Sequence, residues 1–476
     1  MKNFLEDYFQ DINHRKLWFC LTMVVLLISL PLMMRGITIG HDFSFHLMRI
    51  EGIAKELAAG VFPVRLSSDW LNGYGYPVSI YYGDILLYLP AFLKNMGMSV
   101  VDAYKYYVLF INVITVLIAY YSFKKIFNNP NLGFLVMLAY VTATYRYENV
   151  YVRAAVGEYT AMAFMPLVLM AVIKVLDDNE QWLRYSLLLS LGLTGIITSH
   201  VLSVILTTVG ILLLCLMRRR DFCHLNVLKA VGTTVGLTAC LNAWFLVPFL
   251  DYFLHVPVKQ NVIGEALHTI QFHGTYPAQY FGFFQNPFGF SLEDVISTRM
   301  GLTPGMLLMF VLFLGLYYIC VYDRQYNEQI INYTVPAIIL LYMASNIFPW
   351  DWLVAHSKIM NAVAQVQFPW RFIGVAIPMM CLLLGTLLKN KRCQSFLVKS
   401  VVVISVFTTL VFLGFYCNNA ELALENMPKI KTSATVAGGE YLRAYKGSEG
   451  KSIVREKDNL DRIIADTEIK ESWGVL

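Results

Sequence analysis

Apolar residues fall along this chain in long blocks. "LWFCLTMVVLLISLPLMM" (17–34) and "LTPGMLLMFVLFLGLYYICVY" (302–322) approach or reach the roughly 20 residues that a helix needs to cross a hydrocarbon core of about 30 Å. Read this way, the pattern predicts eleven spanning helices, at about 17–34, 105–123, 131–145, 158–176, 184–199, 201–217, 228–250, 302–322, 330–347, 371–388 and 396–416. Segment 80–97, "IYYGDILLYLPAFLKNMG", is nearly long enough to be a twelfth, but it carries Asp84, Pro90 and Lys94. The basic clusters decide its place. His14-Arg15-Lys16, Lys124-Lys125, Arg218-Arg219-Arg220 and "KNKRC" (389–393) all fall on the inner side only if 80–97 lies at the outer interface. The expected topology has the N-terminus inside and the C-terminus outside. It also gathers nearly every chemically suggestive residue on the outer face.

The first outer loop, 35–104, changes to a period of 3.6. Phe43, Leu47, Ile50, Ala54 and Leu57 draw one apolar stripe, while Asp42, His46 and Arg49 share the opposite face. Gly60 stands where a helix C-cap glycine belongs. The spacing predicts an amphipathic helix on the membrane surface with its carboxylate, imidazole and guanidinium aimed the same way. Asp42 stands at the start of that helix, where free backbone N–H groups can hold a carboxylate. Its polar face lacks the lysines of an ordinary surface anchor. Downstream, "GYGYPVSIYYGD" forms a turn walled by Tyr74, Tyr76, Tyr81 and Tyr82. Such rings serve as an interface belt or stack on a sugar, and the sequence leaves both open.

Composition agrees with a membrane protein. Of 476 residues, 57% are hydrophobic and 14% charged, with mean hydropathy +0.56, whereas a soluble chain carries about a quarter charged residues. The first apolar block lacks a small-x-small cleavage site and is followed by further spans, so it reads as an anchor and not a signal peptide. The eight cysteines show no C-x-x-C spacing, which points to neither a disulfide framework nor a zinc knuckle. Topology accounts for the basic clusters, so nucleic acid is not expected as a partner. No repeat and no Walker-type phosphate loop is present. The large outer loop 251–300 is aromatic and glycine-rich, with the look of a cover over an outer cavity. From Cys417 about a third of the residues are charged, so the chain divides into a transmembrane domain (1–416) and an extracytoplasmic tail (417–476).

Five segments in order, "HDFSFHLMR" (41–49), "GYGYPVSIYYGDILLYLP" (73–90), "VRAAVGEYTAMAFMPL" (152–167), "TSH" (198–200) and "QFPWRF" (367–372), resemble the GT-C superfamily of integral-membrane glycosyltransferases. They look most like its bacterial YfhO-type branch, whose members are also labelled "6-pyruvoyl-tetrahydropterin synthase-related". The resemblance implies an all-α GT-C-like bundle with interfacial helices in the first outer loop, set in the bacterial cytoplasmic membrane with its site outside. YfhO-type chains are typically longer, with a β-rich outer region. Here "GGEYLRAYKGSEGKS" looks like the start of such a region and the sequence ends at Leu476, so a shortened member is expected.

The implied activity moves a sugar from a polyprenyl-phosphate donor to an envelope acceptor, a wall polymer or glycolipid. The family's catalytic acid follows the first span, the place of Asp42. Donor phosphate and substrate would meet His41, His46, Arg49, Arg153, His200 and Arg371, since a guanidinium fork suits phosphate. Glu148 and Glu158 form a second acidic cluster. In some GT-C enzymes acids from the first two outer loops share a divalent cation, which makes Asp42 with Glu148 or Glu158 a candidate site for Mg²⁺ or Mn²⁺. Arg153 and Glu158 are five apart, a poor spacing for a local helical ion pair. Two other classes stay in view: a transporter or flippase of a lipid-linked sugar, and a non-catalytic envelope-assembly partner. Transport calls for polar residues at mid-membrane depth and paired broken helices. Here the suspicious residues gather at one side.

Overall fold

The computed structural model describes residues 14–34, 40–73, 75–256, 270–282, 300–321, 324–389 and 394–425. Among them it is all-helical, apart from isolated bridges pairing Ser67 with Tyr76 and Thr275 with Ser345. The main helices are α1 (His14–Ser29), α2 (Phe43–Ala58), α3 (Tyr88–Asn95), α4 (Val100–Phe127), α5 (Pro130–Val141), α6 (Val156–Asp177) and α7 (Trp182–Ile197). They continue with α8 (Val201–Met217), α9 (Leu225–His255), α10 (Met306–Val321), α11 (Arg324–Ala344), α12 (Phe372–Leu388) and α13 (Gln394–Glu425).

Each of the eleven predicted windows falls on one of these helices. Six of the helices are long and apolar enough to cross a membrane, and several shorter apolar ones accompany them, so this is a multi-pass membrane fold. The window at 131–145 was drawn too long: α5 stops at Val141, about 18 Å from its start at 1.5 Å per residue. Its beginning is written locally. Asn128 adopts the left-handed conformation (φ 52°) that ends α4, and the Asn129 side chain accepts from the N–H groups of Asn131 and Leu132 at 2.9 and 3.0 Å. Pro130 then fills the first helical position, where no N–H is needed.

Segment 80–97 contains no continuous helix of spanning length. A turn at Val78–Tyr81, a 3₁₀ turn at Ile85–Leu87 and the eight-residue α3 divide it. α6 and α12 form the heart of the bundle, with 89% of the spanning window of each buried. α4 and α7 pack along α6, α5 along α4, and α11 along α12. Most of loop 251–300 and the tail from 426 lie outside the described residues, as does Tyr74.

Candidate functional site

The described part of segment 35–104 folds back on the bundle. The apolar stripe of α2 is buried as its spacing predicts, with Phe43, Leu47, Ile50 and Ala54 nearly inaccessible and Phe43 edge-on to Tyr104 at 5.3 Å. Lys55 pairs with Asp69 at 3.1 Å and the Glu56 carboxylate accepts from the Ser68 N–H at 2.8 Å, tying the end of α2 to the next turn. The expectation of a helix lying on the membrane surface is corrected here. His46 and Arg49 are each 1% exposed, so α2 is buried on two faces and does not float on a surface.

The cover over that second face is the Tyr82-Gly83 turn. A Cβ on Gly83 would lie 2.2 Å from the Thr198 carbonyl oxygen, and one on Gly157 would lie 2.5 Å from the Tyr82 hydroxyl. Backbone contact this close admits only glycine. It locks "YYGD", the start of α6 and the "TSH" corner together.

Arg49 donates to the carbonyls of Gly83 (2.9 Å) and Tyr82 (3.4 Å) and to Nδ1 of His46 (3.4 Å), and lies 4.2 Å from the Tyr82 ring centre. Its Nε has no hydrogen-bond partner among the described residues. Burial, then the charges of Arg49 and His200, holds the His46 imidazole well below its usual range, so it is neutral and can accept from Arg49. His200 shares Nδ1 with the Ser203 hydroxyl at 2.8 Å and leans on Tyr82 with ring centres 5.9 Å apart. Burial and then Arg371 push it down to about 3.

Glu158 organises the opposite wall. Its carboxylate meets Arg153 at 3.0 Å and Arg371 at 3.5 Å, and accepts from the Tyr145 hydroxyl at 2.6 Å and the Asn149 amide at 3.1 Å. The five-residue spacing is poor for a local helical ion pair, and the pair that forms is a buried one made across a turn. Ala154 and Ala155, between the two residues, lie outside the helix: Ala154 sits at φ 54°, and the Val156 N–H closes a three-residue turn on the Ala154 carbonyl at 2.9 Å. This folds the five-residue interval back on itself. Arg153 also follows a π-helical turn, Glu148–Val152, a local geometry frequent at functional sites. Burial disfavours its charge, but Glu158, Tyr145 and Asp42 outweigh that and hold its guanidinium protonated.

Arg371 reaches the cluster through a similar device. Gln367 has φ 67° and ψ −45°, and the Phe368 N–H bonds the Val366 carbonyl at 2.7 Å, a rare and strained turn. Arg371 donates to that same Val366 carbonyl at 2.7 Å and is 9% exposed. It is therefore turned inward to Glu158 and does not snorkel.

Asp42 stands at the mouth. Its N–H donates to the Arg153 carbonyl at 3.0 Å, its carbonyl accepts from His46 N–H at 3.1 Å, and its side chain is partly exposed. The carboxylate makes no cap bond with the first turn of α2, against expectation, and instead acts electrostatically on Arg153 and Tyr82. His41 is exposed on the turn just before it.

The tyrosine wall divides. Tyr76 is buried flat against Trp70, with rings 5.6 Å apart and 14° from parallel, and so offers no free face to a sugar. Tyr81 packs against Phe249 of α9. Tyr82 is partly exposed and remains beside the cluster.

Asp84 is the residue that sequence reasoning passed over, noting it only as an obstacle to a span. It is 2% exposed, and burial pushes its carboxyl up to about 6 against the pull of Arg49, Ser79 and Arg65. A buried acid beside arginines at a broken helix was the available signal.

A divalent cation shared by Asp42 and Glu148 or Glu158 does not fit this donor set. Both oxygens of Glu158 are engaged, one by two guanidinium groups that repel a cation. Burial pushes Glu148 up to about 8 against the Gly301 amide and Arg153, leaving it protonated and a poor ligand at neutral pH. Among the described residues no three His, Cys, Asp or Glu side chains gather as a metal site would need.

No protein-family model and no curated protein matches the chain. Solved structures similar to it include the archaeal oligosaccharyltransferase AglB from Archaeoglobus fulgidus, in complex with an inhibitory peptide and a dolichol-phosphate. That match has TM-score 0.45 and 12% identity over 93% of this chain and 62% of that one. The arabinofuranosyltransferase AftD from Mycobacteria is similar at TM-score 0.43 and 11% identity, over 87% of this chain and 29% of that one. The chain thus spans less than two thirds of the length of either.

Proposed function

We propose that the chain is an extracytoplasmic glycosyltransferase of the GT-C type, akin to the YfhO-type branch, that uses a polyprenyl-phosphate-linked sugar. One observation supports this reading: among the described residues Arg49 is buried without a carboxylate in salt-bridge range and with Nε unpartnered, seven residues after the partly exposed acid Asp42. A buried, imperfectly paired guanidinium is costly unless an anion completes it. With Arg153 and Arg371 bound to one Glu158, the cluster leaves positive charge over for a departing phosphate.

In the reaction, the Asp42 carboxylate takes the proton of an acceptor hydroxyl while its oxygen bonds to the anomeric carbon. The bond from that carbon to the phosphate oxygen breaks, and polyprenyl phosphate leaves with the electron pair. Arg49 receives the developing charge. His46 and His200, held neutral, orient neighbouring groups without competing for that proton. Tyr82 offers its exposed edge to the sugar. The proposed orientation places this end of the bundle outside a bacterial cytoplasmic membrane, facing a wall polymer or glycolipid acceptor.

The test is sugar incorporation in membranes from cells with the wild-type protein, Asp42→Asn or no protein, supplied with radiolabelled polyprenyl-phosphate sugars. The expected result is incorporation that requires the protein and is lost in folded, membrane-inserted Asp42→Asn. Undiminished transfer in the variant removes Asp42 as the base. No transfer from any donor turns the balance toward the transporter and scaffold readings.

A further inference from the structure

At the far end of the bundle a second feature stands apart from the cluster. A crevice of about 500 Å³ opens between α6, α7, α8 and α9, lined by Val175, Leu176, Ile211, Leu216 and Ala230 among other apolar residues. One cationic side chain, Arg219, joins the lining. Glu158 sits in the first turn of α6, whereas the crevice residues Val172–Leu176 lie 14 to 18 residues further along, roughly 21–27 Å away at 1.5 Å per residue. Since α6 is long enough to span, the crevice belongs to the opposite leaflet from Asp42.

Charge at the rim is unevenly used. Arg218 is engaged by Asp177 at 2.6 Å and Asp221 at 2.7 Å, while exposed Arg219 and Arg220 have no carboxylate in salt-bridge range among the described residues. Lys229 is exposed beside Ala230. An apolar slot between helices with a guanidinium at its headgroup end matches a lipid that is apolar along its length and anionic at its tip.

We propose that this crevice holds one acyl chain of an anionic membrane phospholipid, with the headgroup phosphate on Arg219, in the leaflet opposite the Asp42 site. The bound lipid fastens α8 and α9 to the end of α6. The site is independent of the reading of Asp42 and stands whether or not transfer is observed.

Native mass spectrometry and thermal unfolding of the full-length protein in zwitterionic detergent test it, with phosphatidylglycerol, phosphatidylcholine or polyprenyl phosphate added. Phosphatidylglycerol should be retained and raise Tm by several degrees, and phosphatidylcholine should do neither. Loss of one charge-assisted contact in Arg219→Ala should weaken retention about tenfold or more, with a smaller effect from Arg220→Ala. Ala230→Phe, which fills the slot, should abolish retention. Equal retention of both phospholipids, or unchanged retention in Arg219→Ala, overturns the proposal. Preferential retention of polyprenyl phosphate overturns the choice of occupant. Arg219 is exposed, so its variant folds and decides the matter even if the Ala230 variant does not.

Discussion

Two arginine-centred networks lie in this bundle, and they are built on opposite terms. Arg146 is fully buried and donates to Asn112 Oδ1 at 2.7 Å, with the Thr115 hydroxyl and Val141 carbonyl at 3.4 Å. Asn112 passes the network on to Ser29 at 2.9 Å and Tyr151 at 3.0 Å, and Tyr151 bonds the Ile28 carbonyl. Its partners are neutral amides, hydroxyls and carbonyls from α1, α4, the end of α5 and the Glu148–Val152 turn. The cluster around Glu158 instead sets two guanidiniums on one carboxylate, adds Arg49 with no carboxylate in salt-bridge range among the described residues, and ends at a partly exposed Asp42. A guanidinium met only by neutral partners stitches helices together, although Arg146 Nε, like Arg49 Nε, has no hydrogen-bond partner among the described residues. An open, unevenly charged network beside an accessible acid has capacity left for a ligand.

That contrast can be broken at either end. The largest effect belongs to Asp42→Asn, which should lower transfer by about 10²–10⁴-fold, the usual worth of a general base, while Tm stays put. A matched fall in Tm would place Asp42 among the structural residues instead. Next comes Glu158→Gln. It leaves Arg153 and Arg371 buried without their anion, and removal of one partner from a buried pair costs about 3–5 kcal/mol. Reduced yield and an early unfolding transition, read by fluorescence in detergent, should follow.

Asp84→Asn should act in the other direction. Burial pushes its carboxyl up to about 6 from the ordinary aspartate value of 3.8, so its charged form is disfavoured by folding. Wild-type stability is therefore favoured below the unfolded value and falls as pH rises towards about 6. The variant is spared that loss, about 3 kcal/mol at 1.36 kcal/mol per pKa unit. The difference in Tm between variant and wild type should grow from pH 4 to pH 6 and then level off. A difference that is flat with pH would show that Asp84 is not titrating there. The smallest effect is expected from Arg146→Met, which keeps the apolar stem and strands the Asn112 carbonyl at a cost of about 1–3 kcal/mol. Transfer per folded molecule should be unchanged, which is what separates this network from the cluster.

Much of this was legible in the chain. Blocked hydrophobicity located the helices, because lipid contact demands continuous apolar surface. The three-four spacing after Asp42 announced α2. What pattern could not convey was whether a polar face meets water or protein. For His46 and Arg49 periodicity records only that they share a side. Their burial depends on Gly83 and Gly157 letting distant backbone approach.

The sequence by itself determined that this is a multi-pass helical chain and that its chemically able residues cluster in a few short segments. Only the tertiary structure decided that Glu158 binds Arg153 and Arg371, that Tyr76 and Tyr81 are packing residues, and that Asp84 belongs among the acids. The reason is physical. Helical propensity and hydrophobic burial act over a few turns and leave a periodic trace in the chain. Ion pairs, desolvation and close backbone contact act over a few ångströms between segments tens or hundreds of residues apart, and leave none.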